Sequence, residues 1–148
     1  NINNGGNGLA GFVAAMNIVD VAGGAQAADA PVLEGGPVDR DRGFVLHTLD
    51  VACGPATERV GEDLGLTATQ EILNVLASDA APARALMALG YAGWAAGQLE
   101  DEISLNAWLV ADADHSLIFD DQPEDKWARA LSKLGVTPEF LTAASGNA

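Results

Sequence analysis

The chain has 148 residues, 49% of them apolar and 19% charged, which fits one globular domain able to bury roughly two thirds of its unfolded surface. Its formal net charge is −14, with nine carboxylates and no Lys or Arg between Gln98 and Asp125, which tells against a general phosphate-binding or anionic-lipid-binding surface. No apolar run approaches the roughly 20 residues that span a bilayer, no signal peptide is visible, and the lone Cys53 rules out an internal disulfide, pointing to a reducing cytoplasm.

In chain order, "NINNGGNG" is a polar start without periodicity, expected to be loop or frayed end. "LAGFVAAMNIV" is apolar but poor in β-branched residues, so it reads equally as strand or helix. A flexible "AGGAQAADA" leads to an expected strand pair, "PVLE" and "GFVLHT", separated by a Gly35-Gly36-Pro37 turn and a charged loop. Thr67 and Thr69 are candidate N-caps of a helix over "QEILNVLAS". "RALMALGYAG" reads as a buried strand and "GQLEDEISLN" as an amphipathic helix. On that helix Leu99, Ile103 and Leu105 share a face, with Glu100, Asp101 and Glu102 meeting water. "AWLVA" and "HSLIFD" read as short strands. Asp121 and Pro123 open a last helix through "EDKWARALSKLG", which stops at Gly135. These elements make a mixed α and β chain with no internal repeat.

The motifs that carry chemistry are weak. Gly6, Gly8 and Gly11 spell GxGxxG, but no strand precedes them, so the turn has nothing to aim a helix N-terminus at a pyrophosphate. His47 and His115, the two histidines, sit in no metal-binding pattern, and His47 ends an apolar strand as a hydrogen-bonded core histidine would. Asp112 and Asp114 lack the Gly and Glu that a calcium loop requires. Cys53 has no basic residue closer than Arg59, which reads as an inert thiol. No metal and no cofactor are expected, and catalytic residues are not identified. The densest cluster is "ALGYAGWAAGQLEDEISLNAWL". There Tyr91, Trp94 and Trp108 accompany Gln98, Glu102 and Asn106, which recur every four residues as a polar stripe. This is either a ligand pocket floored by aromatics or a Trp-packed helix that Asn106 caps.

That stretch and "GGPVDRDRGFVLH" together resemble the signatures of the YqgE/AlgH family of small bacterial proteins, supported by "TATQEIL" and "FDDQPEDKWARALSKLGV". The short "GLAGFV" is similar to the family's Gly-rich strand start. The resemblance implies an α/β fold of the α+β type. Its single domain holds a curved, largely antiparallel sheet that forms an incomplete barrel, with helices packed outside. It also implies that the N-terminal strands usual in the family are missing from a chain opening at "NINNGG". It brings no reaction, although one branch is labelled a transcriptional regulator. Gly35, Gly36, Pro37, Arg42, His47, Tyr91, Trp94, Gln98, Glu102 and Asn106 are the expected lining of a cleft that takes a protein partner or small molecule. In it Arg42 reaches a carboxylate of the acidic helix. The alternatives are a hydrolase-like enzyme using His47 and nearby carboxylates, and a DNA-acting regulator, which the charge disfavours. The oligomeric state is left open.

Overall fold

The computed structural model describes residues 17–18, 32–119 and 123–136. The glycine motif at 6–11, most of the apolar run after it, Asp121 and the 137–138 turn lie outside the described residues. The chain divides between Gly93 and Trp94 into two compact units.

The first unit is built on an open sheet in the order β1-β2-β6-β3-β5-β4. Its strands are β1 (Asn17–Ile18), β2 (Val32–Glu34), β3 (Val38–Thr48), β4 (Glu58–Val60), β5 (Leu64–Thr67) and β6 (Ala85–Tyr91). Four of the five pairings are antiparallel and only β2 runs parallel to β6. Among the described residues β1 and β4 are the outermost strands, and the sheet does not close into a barrel.

Two expectations are corrected here. "PVLE" and "GFVLHT" are both strands but do not pair with each other, because β6 lies between them. The charged "VDRDR" segment is not a loop: it is the first half of the 11-residue β3. Charge content argued for loop, yet β3 makes its core contacts only in its second half, where Val45, Leu46 and His47 are all buried. A strand buried on both faces reads as a continuous apolar run, and this one follows four exposed charged residues.

Helix α1 (Glu71–Leu76) covers one face of the sheet. Ile72 is 2% exposed and joins Val45 and Cys53 in the core, with Val51, Val75, Leu76, Ala85 and Met87 packed around them. Burying a side chain such as Ile72 contributes about 2 kcal/mol. Neither candidate threonine caps this helix through its side chain: Gln70 stands at the cap position without a side-chain bond, and Thr67 is the last residue of β5.

The second unit is helical. It holds α2 (Gln98–Ser104), α3 (His115–Ile118) and α4 (Pro123–Lys133). "AWLVA" forms no strand, and "HSLI" is a helical turn rather than a strand. Asp114 decides the latter: its Oδ1 accepts the Leu117 N–H at 2.7 Å, an N-cap contact that starts a helix, while its other oxygen pairs with Lys133 of α4. Lys126 of α4 donates to the Ile118 carbonyl at 2.7 Å, so α3 is tied to α4 at both its ends. Burial pushes the Lys126 ammonium pKa down. Beyond α4 the chain turns at Gly135, as the sequence implied, with φ at 69°.

Candidate functional site

The glycines of the first motif seat a charged bulge. Val38 pairs with Tyr91 and Gly43 with Leu89, so residues 39–42 stand opposite Gly90 alone. A β-bulge this large forces backbones together beneath it. A Cβ on Gly35 would lie 2.3 Å from the Gly90 carbonyl oxygen, and one on Gly90 would lie 2.5 Å from that of Gly36. Gly90 also has φ at +73°, which costs a side chain further. Gly35 N–H donates to the Leu89 carbonyl at 2.7 Å, locking the crossing. Pro37, exposed, sets the exit angle toward the bulge. Asp39, in the bulge, adopts φ of 47° without being glycine.

Above this seat the side chains are sorted. Arg40 pairs with Glu34. The Arg42 guanidinium lies 5.2 Å from the centre of the Phe44 ring. Phe44 in turn meets Tyr91 edge-on, with centroids 5.7 Å apart at 72°. Arg42 is thus an exposed cation resting on an aromatic pair.

His47 sits on the same strand but in a different environment, wholly buried. Its Nδ1 is 3.0 Å from the Thr48 carbonyl and must donate there, which fixes the tautomer. Nε2 then accepts from the Thr67 hydroxyl at 2.9 Å, and Thr67 accepts from Thr57 at 2.8 Å. Gly65, opposite His47 in β5, makes room, since a Cβ there would sit 2.8 Å from the imidazole Cε1. The Cys53 sulfur lies 3.4 Å from Nδ1. Burial pushes its thiol pKa up, and the Asp50 charge adds to that, so the thiolate is disfavoured. The Asp50 carboxylate is occupied as well. It is held below the usual carboxylate range, first by the Thr48 hydroxyl and then by the Ala83 N–H. Thr57 and Thr67 were invisible as members of this chain, because no spacing rule links a loop threonine to a strand histidine.

In the second unit Glu102 is the centre. It was expected to meet water, yet its Oε2 accepts the indole N–H of Trp108 at 2.6 Å and of Trp94 at 3.1 Å. Its Oε1 accepts from Gln98 at 2.9 Å. These donors, Trp108 foremost, then Gln98 and Trp94, hold its carboxyl below the usual range. The two indoles meet edge-to-face at 5.7 Å and 80°. Gln98 closes the start of the knot by accepting the Ala95 N–H at 3.0 Å. Asn106 does not extend the polar stripe. It takes φ of 58°, with Asn106 N–H bonded to the Ile103 carbonyl and Ala107 N–H to that of Glu102, a Schellman ending of α2. Because the helix ends there, Leu105 leaves the apolar face it was assigned and is 79% exposed. Trp108 was legible only as a nearby aromatic; its six-residue distance from Glu102 makes sense once the chain reverses at Asn106.

Among the described residues no group of His, Cys, Asp or Glu is arranged to hold a metal ion, and no helix is long and apolar enough to cross a membrane. The molecule is therefore, by fold and by site, a mixed α/β protein with an open, largely antiparallel sheet, a glycine-seated bulge and a carboxylate–tryptophan knot. Comparison with known proteins gives that class its family. The model described as AlgH-like matches residues 7–139. A UPF0301 protein of Caulobacter vibrioides is 48% identical over 134 residues, covering 90% of this chain and 69% of its own length. A UPF0301 protein of Bradyrhizobium diazoefficiens is 51% identical over 117 residues, covering 79% of this chain and 55% of its own. The solution structure of the AlgH protein from Pseudomonas aeruginosa superposes with a TM-score of 0.62 at 44% identity, over 80% of this chain and 61% of that one. This chain belongs to the AlgH-like family.

Proposed function

We propose that this protein works by binding, without catalysing a reaction, and that it takes a protein partner or a small ligand through its two signature motifs, with the bulge at 39–42 as a contact surface. The observation that carries this is the glycine seat. Three glycines, Gly35, Gly36 and Gly90, keep the backbones in near contact, and the product of that arrangement is an exposed charged bulge with a non-glycine residue at positive φ. Bulges and strained residues of this kind re-aim side chains at binding sites. Catalysis by His47 finds no support in its surroundings, since both ring nitrogens are engaged and Cys53 is kept as a thiol. The proposal places the protein in the cytoplasm, in keeping with one buried, unpaired cysteine. A regulatory role would then run through a partner, because a net charge of −14 opposes direct contact with DNA.

A thermal-shift screen of the whole chain against metabolites, with pull-down of partners in parallel, tests this reading. The expected result is a saturable stabilisation, or a captured partner, that weakens when Arg42 is replaced by Ala. Turnover of a substrate that is abolished by His47→Gln in a folded protein overturns it in favour of an enzyme. DNA affinity falling steeply with rising salt overturns it in favour of a DNA-binding regulator.

A further inference from the structure

The two arginines of the bulge are employed differently. Arg40 is neutralised by Glu34. Arg42 touches the Phe44 ring and has no carboxylate partner among the described residues. The Arg42 charge lies over the face of the ring, and none of its guanidinium N–H groups is hydrogen-bonded among the described residues, so the donor fork is available to a ligand. Beneath it, Phe44 and Tyr91 form a half-buried aromatic corner. The glycine seat fixes both parts, because Tyr91 pairs with Val38 at one end of the bulge and Phe44 lies just past its other end.

We infer that Arg42, Phe44 and Tyr91 form a subsite for a small organic monocarboxylate, which takes two parallel hydrogen bonds from the Arg42 fork and lays its apolar body against the two rings. This rests on the binding reading of the bulge and names the ligand class for it. A planar carboxylate matches the geometry of one guanidinium edge. A phosphate dianion fits less well: Asp39 and Asp41 flank the site in sequence and the chain carries a charge of −14, so each added negative charge meets repulsion. The apolar body supplies what an exposed ion pair alone lacks, area removed from water.

The test uses phenylacetate added to the whole chain, following the Arg42 Nε–H and the aromatic signals of Phe44 and Tyr91 by NMR. The expected result is a saturable shift of all three, with a Kd of about 1 mM or tighter. Phenylacetamide, the same body without charge, is expected to give no saturation over the same range. Arg42→Ala should weaken phenylacetate about tenfold or more, and Arg42→Lys should also weaken it, because an ammonium keeps the charge and loses the fork. Arg42 is exposed, so unchanged melting of both variants is expected and shows that they fold. Inorganic phosphate binding as tightly as phenylacetate, equal binding of the amide, or full affinity in Arg42→Ala overturns the inference. The two proposals fail separately. If another ligand or a partner is lost on Arg42→Ala while phenylacetate never saturates, the carboxylate subsite falls and the binding surface stands. If bulge variants leave every observed binding event unchanged, the binding surface itself falls.

Discussion

In the first unit, Gly35, Gly36 and Gly90 shape the bulge at 39–42 by carrying no side chains; in the second, Glu102 gathers Trp94, Trp108 and Gln98 by supplying one. Both regions lie in the motifs by which the family is recognised, yet they respond differently to change. A backbone crossing with carbonyls 2.3–2.5 Å from any added Cβ has no smaller substitute and no room to relax. A carboxylate accepting three hydrogen bonds can lose one and keep the others. The first motif should therefore fail abruptly and the second by degrees.

The largest effect expected from this contrast is that of Gly35→Ala. The new methyl group would run into β6, with the Gly90 carbonyl oxygen at 2.3 Å and the Ala88 Cβ at 3.3 Å. Neither neighbour is the end of a flexible side chain, so strands β2 and β6 must separate. A loss of about 3 kcal/mol or more is expected in urea unfolding, in the range that marks overpacking and backbone strain. A loss under about 1 kcal/mol would show the crossing to be loose, and the abrupt half of the contrast would fail.

Thr67→Val is the intermediate case, a side-chain network inside the glycine-rich unit. The methyl that replaces the hydroxyl leaves the buried Nε2 of His47 without its donor. An unsatisfied buried acceptor costs about 1–3 kcal/mol. Thr57→Val should cost less, since Thr57 is half-buried and the bond between His47 and Thr67 survives its loss. Equal losses would mean that the chain acts as one unit rather than as a buried link with an outer support.

Glu102 gives the graded response. Its folded pKa lies below the ordinary value of 4.5, because Trp108, Gln98 and Trp94 donate to the charged form. The sign follows: its contribution is fully present above the unfolded value and is lost as pH falls through the lower, folded one. Near-ultraviolet circular dichroism of the tryptophans should hold steady from neutrality into the carboxylate range and change only below it. In Glu102→Gln the amide keeps an acceptor for one indole, so a weakened signal without that acid transition is expected. An unchanged acid transition in Glu102→Gln would assign it to another carboxylate.

How far these regions could be read in advance follows from the same physics. Apolar runs located β6 and the second half of β3, and the helical spacing of Leu99 and Ile103 located α2, because contact with the core leaves its mark on composition and spacing. The first half of β3 was missed because a bulge detaches residues 39–42 from the alternation that reveals a strand. The pairing of β2 with β6 was missed because a parallel neighbour comes from far along the chain, with no turn to announce it. "HSLI" was misread through its apolar residues, although Asp114 three residues before Leu117 was a capping signal in plain view. Glycine and tryptophan singled out the stretches that carry the bulge seat and the indole–carboxylate contacts, while the part of Glu102 as acceptor for two indoles needed the chain reversal at Asn106.

The smallest effect, and the one that separates support beneath the bulge from support above it, is expected for Arg40→Ala. Its ion pair with Glu34 spans the turn and could be taken as what holds residues 39–42 in place. The exposures argue otherwise: 68% of the Arg40 side chain and 24% of the Glu34 side chain remain accessible, so water and salt screen the attraction, and two flexible side chains must be ordered to form it. The substitution should cost at most about 1 kcal/mol, and that cost should shrink further as salt is added. The loss from Gly35→Ala should not respond to salt at all, because steric overlap is not screened. A salt-sensitive loss from Arg40→Ala as large as the glycine effect would reverse the assignment, making the bulge an electrostatic structure that the glycines merely permit.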